Sequence, residues 1–430
     1  MADIRAFRGL RYDLGRAGAL SDLVGPPYDV VDATLQRVLY NRSPFNAIRL
    51  ELTQDEPGDT PTRNRYTRAG QTLSGWQTDN VIQQDTLRAL YVVEQEFTVE
   101  NVTYKRRGFM ARVRLEPFGT GRIFPHEETM SGPKEDRLKL MRATAMNLSP
   151  IFGLYPDDTN DVFSRIESQL QGKLPLEAKD HLGVISRLWP VTDEHAVGSA
   201  ISGMADKPVF IADGHHRYET ALKYLEEARA AGTVANDEAP PNFILMMLVS
   251  MADPGLVILP THRLVSGFPG LTASQLKSAL SPHFTVERVA SDKDAWEAIE
   301  MDGSQELMAF HTNADGVWQT ARFTNPELMA ELAADHSDDW RELAVSVLHV
   351  AALNKLIPAA VGGSASCKYV HLLNEVEEAK GSCDLAALIP AATMGHVEHI
   401  AGNREKMPPK STYFYPKLLT GLVFNSLKTN

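Results

Sequence analysis

The chain has 430 residues, 43% of them hydrophobic, enough to fill the cores of two or three domains of ordinary size. A formal net charge of -12 argues against a protein that coats nucleic acid, while leaving room for a local basic pocket. The two cysteines, Cys367 and Cys383, make neither a zinc pattern nor a disulfide framework, which suits a reducing compartment.

In chain order, MADIRAFRGLRYD has no long apolar run and is not read as a signal peptide. VGPPYDV reads as a rigid turn or loop that presents Tyr28 and Asp29. Asn46 to Leu52 is short and apolar enough for a strand, and Tyr66, Ala69 and Leu73 share one helical face. A hairpin follows, its turn at Glu100 to Thr103. Its second strand alternates Ala111, Val113 and Leu115 with Arg112, Arg114 and Glu116, the signature of a sheet with one wet face. Leu138, Met141 and Ala145 fit a helical stripe, and Ile151 to Tyr155 returns to a strand. A helix capped by Asp157 or Thr159 comes next, then strand material in HLGVISRLWPVT. Phe243 to Val249 is the greasiest stretch; it is too short to span a bilayer and reads as a buried strand. LTASQLKSALSPHFTVERV is helix then strand, and the last hundred residues read as mainly helical, with strand candidates at CKYVHLL and KSTYFYPKLLTGLVF.

Strands and helices interleave without a steady strand–helix–strand rhythm, so the expected class is α+β, with mixed or antiparallel sheets and flanking helices. Three regions are expected: an N-terminal α+β region over 1–155, a region over 156–270 that carries the sequence DGHHR, and a mostly helical region over 271–430 that closes the site. A cytoplasmic protein is expected, acting on a small molecule without nucleic-acid or membrane partners; a homodimer is allowed.

The densest chemistry lies in VFIADGHHRYETALKYL. Phe210 to Ala212 end a strand, Asp213 is read as the helix cap, and Gly214 permits a tight turn. Tyr218, Ala221, Leu222 and Leu225 form the buried stripe, which puts His215, His216 and Arg217 at the helix start. A helix N-terminus already favours anions, so extra cations there make electrostatic sense when a phosphate docks among them. Arg217 is read as a bidentate phosphate clamp. The histidines lack metal-site spacing, so no protein-only metal cage is expected; magnesium held partly by substrate phosphates needs only one or two carboxylates.

A second cluster, PHEETMSGPKEDRLKLMRAT, offers His126, Lys134 and Arg137 on the loop side of a helix, although an ordinary solvated face accounts for Glu135, Lys139 and Arg142 equally well. A third, MPPKSTYFYPKLLTGLVF, offers Lys410, Ser411, Thr412 and Lys417 to phosphate or a small polar substrate. It lacks the GxxxxGK frame and is not a P-loop. Asp29 and Glu51 are candidate bases or metal ligands.

Together PPYDV, PFNAIRL, RRGFMARVRLE, the three clusters, SPIFGLYPD and GLVILPTHRLV resemble, in order, the DUF1015 type of bacterial and archaeal protein. That type is similar to the ParB/sulfiredoxin-like superfamily, in which a motif corresponding here to Asp213, Gly214, His215, His216 and Arg217 binds nucleotide phosphates at a helix start. The resemblance implies a ParB/sulfiredoxin-like core around DGHHR. No cysteine lies near the motif, which removes the sulfiredoxin chemistry, and no basic helix-turn-helix is visible. The superfamily also includes free-serine kinases with a comparable motif, so the resemblance implies a small-molecule kinase using ATP or ADP with Mg2+ on a hydroxyl acceptor, free serine being the expected one. In that reading His215 and Arg217 hold phosphates, His216 orients phosphate or acceptor, Asp29 or Glu51 is base or metal ligand, and Lys134 and Arg137 neutralise developing charge. The alternatives are a nucleotide-binding regulatory protein without metabolic kinase activity, and a structural or interaction protein.

Overall fold

The computed structural model describes residues 2–127 and 131–428. Thr129, quoted within the second cluster, lies outside the described residues. The chain divides into two compact units: 1–125, 129–256 and 416–430 in the first, 126–128 and 257–415 in the second. These limits differ from the three regions read at 1–155, 156–270 and 271–430, because the stretch after Tyr415 returns to the first unit.

The first unit is built on a nine-stranded mixed sheet. Its strands are β1 (Ile4–Arg5), β2 (Leu90–Val99), β3 (Val102–Arg114), β4 (Ile123–Pro125), β5 (Ile151–Tyr155), β6 (Leu176–Lys179), β7 (Ile185–Val191), β8 (Val209–Asp213) and β9 (Phe243–Ser250). The order across the sheet is β4-β8-β5-β9-β3-β2-β7-β6, with β1 paired to β3. The β8–β4 and β9–β5 pairs are parallel and the other pairs antiparallel. The β2–β3 hairpin turns at Glu100 and Asn101, both left-handed (φ 48° and 68°), close to the position its alternation predicts. β9 is buried along its whole length, as an apolar run in mid-sheet must be.

The helices of this unit include α1 (Ile48–Glu51), α2 (Arg65–Thr78), α3 (Ser131–Thr144), α4 (Asp161–Glu167), α5 (Glu194–Met204) and α6 (His215–Ala230). Val162, Phe163, Ala200, Tyr218, Ala221 and Leu225 bury into one core with Ile211, Ile244 and Met246 of the sheet. Two local readings are corrected. Asn46 to Leu52 is not a strand: Asn46 Oδ1 accepts from Ile48 N at 2.9 Å and starts the turn of α1. Asn160, in a left-handed conformation, precedes α4, although Asp157 Oδ2 still accepts from Val162 N at 2.9 Å.

The second unit is not mostly helical. Strands β10 (Val257–Leu259), β11 (His262–Ser266), β12 (Phe284–Val289), β13 (Leu307–Thr312), β14 (Val317–Phe323), β15 (Ser366–Val370), β16 (Leu385–Leu388) and β17 (Tyr413–Tyr415) run through it. Six of them form an antiparallel sheet in the order β12-β14-β13-β16-β11-β15, and β10 pairs with β17. Leu264, Ile299, Ala309, Trp318, Val376 and Leu388 share a core there. The helix over Ala344–Val361 is 18 residues long and apolar enough to cross a membrane by length and composition, with 50% of it buried.

Candidate functional site at the start of helix α6

β8 runs out of the core and ends at Asp213, and Gly214 turns the chain into α6 with φ 97° and ψ 25°. That left-handed backbone suits glycine, and a Cβ there would sit 3.1 Å from the Arg217 guanidinium. The turn is anchored by Tyr218, fully buried, whose hydroxyl donates to Glu116 O and accepts from Glu116 N, each at 2.9 Å. The helical stripe therefore falls where its spacing predicts and fixes which residues lead the helix.

Asp213 is not the cap. The N-cap position is Gly214, which offers no side-chain hydrogen bond to the first turn. The Asp213 carboxylate instead takes Arg217 Nη2 on Oδ2 and Lys417 Nζ on Oδ1, each at 2.6 Å. All three side chains are largely buried, at 15%, 9% and 12% exposure for Asp213, Arg217 and Lys417. Arg217 also donates through Nη1 to Pro150 O at 2.6 Å and Ser149 Oγ at 3.1 Å. Much of the fork read as a phosphate clamp is thus spent inside the protein. Burial pulls the Arg217 guanidinium pKa down, but the charges of Asp213, Asp29 and Glu51 outweigh it and hold the pKa above its ordinary value.

The polar network continues inward from Arg217. Ser149 Oγ donates to Glu51 Oε1 at 3.1 Å, and Arg137 Nη1 donates to Glu51 O at 2.8 Å. Arg137 also donates to Asp136 from Nε at 2.8 Å, and its guanidinium lies 4.0 Å from the centroid of the Tyr28 ring. Burial first, and the Asp29 charge next, push the Tyr28 phenol up to about 12, so it stays protonated and can donate. A cavity of about 40 Å3 lies among Glu51, Arg137, Ser149 and Arg217, sized for a few waters and not for a nucleotide. Lys134 donates to Glu219 at 2.8 Å. Arg106, fully buried, donates to Gln95 Oε1 at 2.6 Å and to Pro416 O; burial lowers its pKa, against the opposing charges of Asp253 and Asp213.

His215 is buried and His216 half-buried on the first turn of α6. Asp29, in a short 3-10 turn over Tyr28–Val30, is exposed, and its carboxylate makes no hydrogen bond or ion pair among the described residues. Of the carboxylates expected to act as base or metal ligand, Glu51 is engaged by Ser149 and Arg137 while Asp29 stands open. An open acid of this kind fits magnesium, which takes one or two protein carboxylates and completes its shell with phosphates and water. No group of three or more histidines, cysteines or acids spaced for a metal occurs among the described residues.

The other expected site residues lie in the second unit. His126 is buried there, its Nε2 2.8 Å from Thr412 Oγ1 and its ring edge-on to Phe414. Glu127 Oε1 accepts from Lys410 N at 2.8 Å, and Lys410 itself has a left-handed φ of 60°. Ser411 Oγ donates to Pro408 O at 2.5 Å. The structure thus gathers Asp29, Glu51, Lys134, Arg137 and Asp213 to Arg217 in one unit, and His126, Lys410, Ser411 and Thr412 in the other. Three contributors to the network were not read from the sequence: Arg106, Ser149 and Asp136. Arg106 left a faint signal, a charge at an inward position of an alternating strand.

A family model described as "Protein of unknown function (DUF1015)" matches residues 4–346. No curated protein matches the chain. Among solved structures the chain is similar to a mutant free serine kinase in complex with ADP, at TM-score 0.34 and 11% identity over 68% of this chain and 84% of that one. It is similar to a conserved hypothetical protein from Pyrococcus furiosus at TM-score 0.33 and 13% identity, over 69% and 89% of the two chains. It is also similar to SbnI with C-terminal truncation from Staphylococcus aureus, at TM-score 0.35 and 10% identity over 73% and 86%.

Proposed function

The chain belongs to the DUF1015 family, and from that premise we propose that it is a small-molecule kinase which binds the phosphates of a nucleotide at the Gly214 turn and transfers one to a hydroxyl acceptor. The observation that carries this reading is the Arg217–Asp213–Lys417 group beside a helix start whose N-cap residue is a glycine. Two cations braced on one carboxylate leave the group with net positive charge, next to the amides of α6 that favour an anion. His215 and His216, on the first turn, add imidazole donors. Arg217 acts as a positioning residue: it fixes Asp213, which in turn orients the Lys417 ammonium.

Asp29 is the base in this account. The acceptor oxygen forms its bond to phosphorus as the bond from phosphorus to the nucleotide's bridging oxygen breaks, and the acceptor proton passes to the Asp29 carboxylate. Magnesium, carried in on the nucleotide phosphates, would neutralise charge on the oxygens in transit. The resemblance of the Asp213 to Arg217 motif points to free serine as acceptor.

The test is nucleotide turnover by the purified chain with ATP or ADP, Mg2+ and a panel of free hydroxyl amino acids. Turnover should require an acceptor, serine being preferred, and Asp29→Asn should lower it about 100-fold or more, the usual weight of a general base. Nucleotide loss that ignores the acceptor would instead favour a regulatory NTPase, and unchanged turnover in Asp29→Asn would remove Asp29 as base.

A further inference from the structure

The first unit carries an open hollow of about 410 Å3 away from the Asp213 group, lined by its N-terminal strand, the segment before β2 and residues after Phe424. Arg5, Arg8, Arg88, Arg112 and Lys428 line it, against one carboxylate, Glu238. In a chain with a net charge of -12 that concentration of cations is local and specific.

The acids nearby are taken up by Arg5, Arg11 and Arg114, which leaves the other cations of the hollow without an acidic partner among the described residues. Glu238 accepts from Arg114 at 3.1 Å and from Arg5 at 3.3 Å. Asp85 gives its carboxylate to Arg11 at 2.8 Å and to the Tyr91 hydroxyl at 2.6 Å; only its carbonyl reaches Arg8. Asp3 accepts from Arg114 at 2.6 Å and from Arg5 of the hollow itself. Arg112 is held rigidly by Asn425 Oδ1 at 2.6 Å and Ser426 O at 3.1 Å, with its guanidinium 5.6 Å from the Phe7 centroid. Burial, and then the charge of Arg88, push the Arg112 pKa down to about 10. Arg8, Arg88, Arg112 and Lys428 form no ion pair among the described residues. Arginines that merely solvate a surface spread apart. Here like charges share one hollow, which costs Coulomb energy until an anion enters.

We propose that this cavity is a second ligand site, which takes a small phosphate-bearing molecule of two or more negative charges. Guanidinium forks match phosphate oxygens two at a time, and several of them around one hollow select for multiple charge. Phe7 and Phe243 give the cavity an apolar wall for the organic part of such a ligand, and its volume lies in the range of small-molecule pockets.

The test is hydrogen–deuterium exchange on the full chain with inorganic pyrophosphate as probe, alongside titration. Peptides covering residues 4–12 and 84–92 should gain protection. The double variant Arg8→Glu/Arg88→Glu, both exposed side chains, should lose that protection and weaken the corresponding affinity by about tenfold or more. Citrate should protect these peptides less than pyrophosphate. Absence of protection there, protection retained by the double variant, or citrate acting as strongly as pyrophosphate would each overturn the assignment.

Discussion

Asp213 shows what a residue's type announces and what it withholds. As an acid one residue before a glycine at a helix start, it reads as a cap, yet its partners are Arg217 and a lysine 204 residues further along. Local spacing marks the charge cluster; the pairing with Lys417 depends on the return of the C-terminal stretch and has no local signature. Asp136 makes the same point with a measurable consequence. Burial raises its carboxyl pKa, but the charge and hydrogen bond of Arg137, the Tyr66 hydroxyl and Arg65 outweigh that and set the pKa below its ordinary value. The stability this confers is present above the unfolded value near pH 4 and is lost as pH falls through the lower native value. Asp136→Asn should therefore cost about 2 kcal/mol at pH 7, less than a fully buried pair because the site is partly open. In urea melts the gap to wild type should close below pH 4; a gap that persists at pH 2 would assign the loss to packing and not to charge.

Among the elements, those with strong periodicity were legible and those made by tertiary context were not. The Tyr218, Ala221 and Leu225 stripe of α6, the β2–β3 hairpin and the apolar β9 all lie where the pattern places them. The Asn46 to Leu52 segment misled, because a single helical turn is too short to show a period and Asn46 decides the outcome by a side-chain bond. β13, β14 and β16 lie in a region read as mostly helical. β16 is four residues long and buried throughout, and periodicity alone cannot tell such a run from a piece of helix. The turn that launches α6 carries its own prediction. Gly214→Ala places a Cβ at positive φ and 3.1 Å from Arg217. Unfolding free energy should fall by about 1–2 kcal/mol, and nucleotide binding should weaken as Arg217 shifts. An alanine variant with wild-type stability and affinity would show that the glycine is dispensable there.

At the scale of the molecule, length pointed to two or three domains and the irregular interleaving of strands and helices to an α+β class; the chain has two compact units with mixed and antiparallel sheets. The unit limits were beyond local reading because residues 416–430 leave the second unit and close the first. The formal charge of -12 also concealed an uneven surface, with a basic hollow at Arg8, Arg88 and Arg112. The central claim is that the Lys417 ammonium, braced on Asp213 at the Gly214 turn, holds nucleotide phosphate, and calorimetric titration of ADP with Mg2+ into wild type and Lys417→Ala tests it most directly. The account predicts saturable binding by wild type and an affinity weaker by about tenfold or more in the variant, as loss of a partly buried phosphate-facing cation requires. Equal affinity in the two proteins, or no binding of ADP by wild type, would contradict it.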